Sequence, residues 1–226
     1  MIIPEVIIEK GLNDFLIFLN EDIKKINDGE TNKSWLFNLL KNEDDSLIKF
    51  DNYEFFKQSL TVFKQKESDK NLSINIGYNL KRAELPTIHI LMPSDNVISK
   101  GIGERIGYQE NKNIGDETSE IMSELTNSNY FLLITSPNIN EVLLIYYVIK
   151  AGLIAMFEYY EQSGFNNVMI GGADVQIQPD LVPAHIFHRS MSLTFSYDFN
   201  VPSLKFQKII RGTNLKPTGI PIETQL

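Results

Sequence analysis

Residues 190–199 alternate without an error, with Met191, Leu193, Phe195, Tyr197 and Phe199 on one parity and Ser190, Ser192, Thr194, Ser196 and Asp198 on the other. Side chains of a strand point to opposite faces in turn, so this segment reads as a β-strand with one apolar and one small, hydroxylated face. The apolar face requires a second layer to pack on. Residues 141–162 supply one. Val142, Leu143, Ile145, Tyr146, Ile149, Leu153, Met156, Phe157 and Tyr160 make this stretch apolar nearly all round, which predicts one long helix covered on more than one side. Ser136-Pro-Asn-Ile-Asn140 offers N-cap chemistry, Glu141 suits the first turn, and Ser163-Gly164 is a stop.

Elsewhere the periodicities predict an α+β chain. Ile8, Leu12, Phe15, Leu19, Ile23 and Ile26 form one stripe of an amphipathic helix over 5–26. A short helix is expected around Trp35, Leu36 and Leu39, and another from Asp51 with Phe56, Leu60 and Phe63 in register, although Thr61-Val-Phe63 would also suit a strand. Leu72, Ile74, Ile76 and Tyr78 alternate with polar residues, and Thr87-Ile-His-Ile-Leu-Met92 follows Pro86. The two read as an antiparallel hairpin with Ile88, Ile90 and Met92 facing the core. Residues 130–135 form a short buried strand, and 168–178 a strand bent at Gly171-Gly172. The run 186–199 is expected to be the longest strand.

Two segments lack a period. Residues 94–129 are rich in Gly, Asn, Ser and acids, and read as a long loop, longer than an ordinary connector. Three cations against seven acids give it a net charge of −4, half of the chain's −8. Its charged residues include Glu104, Arg105, Glu110, Asp116 and Glu117. From Asn200 onward Pro202, Pro217 and Pro221 interrupt the chain, and Lys205, Lys208, Arg211 and Lys216 stand against Glu223 alone. The domain plan is therefore one α+β domain over 1–199, with a helical N-terminal extension over 1–50, a long acidic loop over 94–129, and an extended basic arm over 200–226.

Composition narrows the function. With no cysteine there is no disulfide, thiolate-held zinc or thiol nucleophile. An acidic body repels DNA phosphate, which disfavours DNA gripping and suits the wall of a path that DNA passes without sticking. No apolar run reaches the roughly 20 residues that span a bilayer, and Met1-Ile-Ile-Pro-Glu5 has no basic n-region, so the expectation is a soluble, cytosol-made protein with no membrane contact.

Catalytic signals are weak. His185 and His188 lie three apart, on opposite faces of a strand, so they do not share an ion without a bulge. His89 sits between Ile88 and Ile90. Gly101-Ile-Gly-Glu-Arg-Ile-Gly107 has its last glycine one residue late for a dinucleotide fingerprint, and Gly171-Gly-Ala-Asp174 lacks the Lys-Ser/Thr of a phosphate cradle. No Gly-x-Ser-x-Gly elbow occurs. Glu43-Asp-Asp45 and Asp116-Glu117 read as solvated loop acids, and a lone Trp35 is thin support for sugar binding. The residues leave open an assembling subunit, a monomeric ligand-binding or adhesion module using the 94–129 loop, and an enzyme of unfamiliar type.

The order of a first amphipathic helix, Pro86-Thr-Ile-His-Ile-Leu91, the loop, the strand before Ser136-Pro-Asn138, the helix Asn140-Glu-Val-Leu-Leu-Ile-Tyr-Tyr147, the glycine-containing strand and Arg189-Ser-Met-Ser-Leu-Thr-Phe195 resembles tail-terminator and neck proteins of tailed bacteriophages. The resemblance spans about 51–202 and is one of pattern and order. It implies an α+β subunit whose antiparallel or mixed sheet packs on the long helix. It also implies a six- or twelvefold ring of identical copies, meeting other neck, portal and tail proteins around the DNA channel. On that reading the protein is a structural virion component assembled in the host bacterial cytoplasm, non-enzymatic, with no cofactor and no metal. Ser190, Ser192, Thr194, Ser196, Lys205, Lys208 and Arg211 are then the expected subunit contacts. Glu104, Arg105, Glu110, Asp116 and Glu117 are expected in the lumen or between rings.

Overall fold

The computed structural model describes residues 2–41, 51–64, 72–77, 85–99, 105–110, 118–173 and 186–202. The protein is α+β, with helices packed on a mixed six-stranded sheet. It divides into two compact units, Met1–Lys100 with Glu124–Phe199, and Gly101–Ser123 with Asn200–Leu226.

The first unit opens with α1, Pro4–Asn27, which starts on a proline as the free first amide of a helix allows. Its stripe Ile8, Leu12, Phe15, Leu19 and Ile23 is buried. This helix is a layer of the core rather than an extension, because the apolar stripe of a 24-residue helix has nowhere cheaper to go than onto the sheet. A short 3-10 turn, Thr31–Lys33, leads to α2, Trp35–Leu40. Buried Asp22 of α1 fixes that junction. Its carboxylate accepts from the Ser34 hydroxyl at 2.7 Å, the Trp35 amide at 3.1 Å and the Leu36 amide at 2.9 Å, while Ser34 Oγ accepts from the Phe37 amide. Helix α3, Asp51–Val62, ends beside buried Val62 and Phe63, so Thr61-Val-Phe63 does not start a strand.

Strands β1, Ser73–Ile76, and β2, Thr87–Ser99, run parallel, not as the expected hairpin. Alternation encodes a face but no direction, and the connection 77–86 is long enough to retrace a four-residue strand. Ile88 and Ile90 are buried as expected, whereas Met92 is exposed at the bulge between Leu91 and Ser94. That bulge also accommodates Pro93, which has no amide to give a ladder.

Strand β2 does not stop there. It continues to Ser99, pairing Ser94 with Asn129, Asp95 with Ser128, Asn96 with Asn127 and Val97 with Thr126 of β4, Thr118–Ser136. In the second unit β3, Arg105–Glu110, pairs antiparallel with residues 118–122 of β4. The expected 94–129 loop is thus strand wherever it is described, and β4, with 19 residues, is longer than β6. Ladder hydrogen bonds need no apolar side chain, so a strand with polar groups on both faces leaves no period in the sequence.

Helix α4 spans Ile139–Ala155, capped by Asn138, whose side chain accepts from the Asn140 amide. The expected single helix over 141–162 breaks at Met156, and α5, Phe157–Gln162, follows. Gly164, at φ 94°, closes α5 in the left-handed conformation that favours glycine. Strand β5, Asn166–Ala173, pairs antiparallel with β6, Phe187–Pro202. Its irregularity lies between Asn166 and Met169, where Asn167 takes φ 54°, and not at Gly171-Gly172, which pair with Ser192 and Met191 in register. Space is short there: a Cβ on Gly171 would meet Ser192 Oγ and one on Gly172 Tyr146 Oη, so a larger residue would require those side chains to move.

The order β1-β2-β4-β6-β5 places β6 between two strands. Asn129 meets Thr194 and Thr135 meets His188, rising numbers against falling, so β4 and β6 are antiparallel. Met191, Leu193 and Phe195 are fully buried, each contributing about 2 kcal/mol by area. Phe195 stacks between Phe165, 3.9 Å away, and Tyr130, 5.5 Å away, and Phe165 stacks in turn on Tyr160.

Candidate functional site

Helix α4 is covered by α1, α3 and the sheet. Gly152 allows the close approach of α1, since a Cβ there would overlap the Phe15 ring. One seam stays open. Asn140, Leu143, Tyr147, Lys150 and Ile154 recur in steps of three and four along one face, with Tyr147 57% and Ile154 50% exposed. Ile139, at the helix start, is 51% exposed. On the flank of this seam the Arg189 guanidinium lies 4.3 Å from the Tyr146 ring centre and 5.6 Å from that of Tyr147, so β6 holds both rings in place. Tyr146 and Tyr147 meet edge to face at 5.2 Å. Leu143, Tyr147 and Ile154 make an apolar strip along part of the helix, in the spacing that packs a second helix.

The hydroxyl face of β6 is less open than its residue types suggest. Ser190 and Ser196 are buried, and Ser192 and Thr194 are half-buried. Thr194 donates to Asn129 Oδ1 and Ser196 to the Asn166 carbonyl, both within the chain's own sheet. Since β4 and β5 occupy both its sides, β6 is not an edge that another copy extends. The sheet ends instead at β1 and β5, and Met169 of β5 is exposed. Arg105 and Glu110 begin and end β3. Glu104, Asp116, Glu117, Lys205, Lys208 and Arg211 lie outside the described residues, as does His185.

Two histidines that sequence separates by 99 positions come near each other on the sheet face away from α4. His89 is on β2 and His188 on β6, the two neighbours of β4. His188 Nδ1 is hydrogen-bonded to Thr135 Oγ1 at 3.0 Å, and His89 Nδ1 lies 3.2 Å from the Gly77 carbonyl. Burial lowers the pKa of both, and the proximity of His89 lowers that of His188 further. The Nε2 of His188 is buried without a partner among the described residues, so the Thr135–His188 pair has no orienting carboxylate. Only the strand order brings these rings together, and no spacing in the chain announces it.

A second polar group joins α1 to the sheet. Tyr130 donates to Glu5 Oε1 at 2.8 Å, and Ser128 donates to Asp95 Oδ1 at 2.7 Å. Burial, then the Glu5 carboxylate, push the Tyr130 phenol far above its ordinary range, and burial likewise raises Tyr197 and Tyr160.

Among the described residues no group of three or more histidines and carboxylates is placed to hold a metal ion, and no helix is long and apolar enough to cross a membrane. The assembled features are thus an exposed apolar seam on α4, two sheet ends and a paired polar ladder. No protein-family model matches the chain, and no curated protein matches it.

Proposed function

We propose that this chain is a structural subunit that closes into a ring of identical copies in the neck or tail of a tailed bacteriophage, surrounding the DNA channel. The observation that carries the assembling part is the open seam of α4. A helix that is otherwise largely buried leaves Leu143 half-buried and Tyr147 and Ile154 exposed, and a neighbouring copy that covers them gains their burial. The neck or tail station comes from the resemblance in the order of elements over 51–202. The net charge of −8 suits a channel wall that DNA passes. Sheet ends at β1 and β5 offer further edges for neighbours.

The rival, a monomeric ligand-binding module, rested on a long loop over 94–129, and the described parts of that segment are ladder strands instead. Native mass spectrometry of the full chain tests the proposal. A six- or twelvefold closed oligomer is expected. A monomer that persists at high micromolar concentration counts against it.

A further inference from the structure

The break at Met156 does more than end α4. It opens a cavity of about 430 Å³ between α1, α2 and the α4–α5 junction. Its walls are the rings of Phe15, Phe18, Trp35 and Tyr159 with the Met156 thioether. Trp35 meets Phe15 edge-on at 5.5 Å and Phe18 at 6.0 Å, so the three rings brace one another. The Asp22 cap holds the Trp35 backbone from beneath. One charged group shares the lining. Asp14 of α1 is exposed, and its carboxylate makes no hydrogen bond or ion pair among the described residues.

Aromatic walls with one carboxylate select the chemistry of an occupant. A purely apolar group would leave the exposed Asp14 carboxylate without a counter-charge. An ammonium on an apolar stem satisfies both parts: the methylenes lie on the rings, and the charged head meets the carboxylate and the ring faces. A single acid matches a single positive charge, which favours a lysine over a polyamine. The cavity is also larger than one lysine side chain and falls in the range of about 300–1,000 Å³ typical of ligand pockets, leaving room for a bulky apolar neighbour. We infer that this cavity receives a lysine side chain, together with an adjoining bulky apolar residue, from a partner polypeptide. The inference does not depend on the ring proposal, because it rests on the cavity lining and not on the α4 seam or the resemblance.

Trp35 is the protein's one tryptophan, so its emission reports directly on the cavity in the full chain. The probes are acetyl-phenylalanyl-lysine amide, its neutral isostere acetyl-phenylalanyl-norleucine amide, and n-butylammonium. The lysine peptide should change Trp35 emission saturably and bind about tenfold more tightly than the norleucine peptide. Asp14→Asn, at an exposed position, should abolish that preference. Ala155→Leu, at the exposed end of α4, should fill the cavity and weaken both peptides without lowering the melting temperature. Equal binding of the two peptides, or no saturable change, would overturn the inference. Butylammonium binding as tightly as the lysine peptide would overturn it too, by assigning the cavity to a free amine.

Discussion

Tyr130 and Glu5 stand 125 residues apart in sequence and 2.8 Å apart in the fold, the phenol on β4 donating to the carboxylate on α1. The same ring stacks on Phe195 of β6, so one side chain ties the first helix to two central strands. Tyr130→Phe keeps the stack and loses only the hydrogen bond, and should lower unfolding free energy by about 1 kcal/mol in urea titration. Tyr130→Ala loses both and should cost about 3–5 kcal/mol. Equal costs for the two would show that the hydroxyl carries the tie.

Asp22 organises α2 from a distance. Removing a buried carboxylate that receives two amides and a hydroxyl leaves those donors without partners, so Asp22→Ala should cost about 2–4 kcal/mol. Because Trp35 is held by that cap, its emission should shift to the red in the folded variant. Unchanged emission would mean that packing alone positions α2.

The α1–α4 contact depends on a missing side chain. Gly152→Ala places a methyl against the Phe15 ring and should cost about 1–3 kcal/mol by overpacking, although alanine is the better helix former. A double variant, Gly152→Ala with Phe15→Leu, should recover part of that loss. A gain in stability from Gly152→Ala alone would contradict the packing described.

The histidine pair makes stability depend on pH in a defined sense. Both folded pKa values lie below the ordinary 6.5, so the unfolded chain takes up these protons first as pH falls. Their contribution is complete above about pH 6.5 and is lost as pH drops through the folded values. The melting temperature should hold between pH 7 and 8 and fall from pH 6.5 toward 5. His188→Gln, which cannot titrate, should flatten that fall. A melting temperature that rises on acidification would contradict the assignment.

The seam of α4 can be charged without offending the helix. Ile139→Glu puts an acid at the N-terminus and Ile154→Lys a cation near the C-terminus, both favourable to the dipole. The double variant should keep the wild-type melt of the isolated chain, within about 0.5 kcal/mol, and sediment as a monomer.

Much of the core is legible in the sequence. The stripe of α1, the inward parity of Met191, Leu193 and Phe195, the Asn138 cap and the Gly164 stop all follow from local chemistry that a short window contains. Direction and partners did not follow. The parallel pairing of β1 with β2 depends on which way ten intervening residues turn. The polar segments 94–99 and 125–129 depend on each other's backbone, as 118–122 depends on β3, and nothing in their side chains reports it. Ser190 and Ser196, read as an outer contact face, are buried within the chain, and β6, flanked by β4 and β5, is no edge. The α4 seam was hidden for a related reason: an all-round apolar helix does not say which of its faces the chain itself will cover, and 141–162 gave no sign of the break at Met156 that opens the Trp35 cavity.

The most direct measurement of the central claim is electron microscopy of the purified 226-residue chain, with class averages viewed down the particle axis. The ring proposal predicts closed particles of six- or twelvefold rotational symmetry with a central opening, lost in the Ile139→Glu, Ile154→Lys double variant. Single compact particles of about 26 kDa, alike for the wild type and the variant, would contradict it.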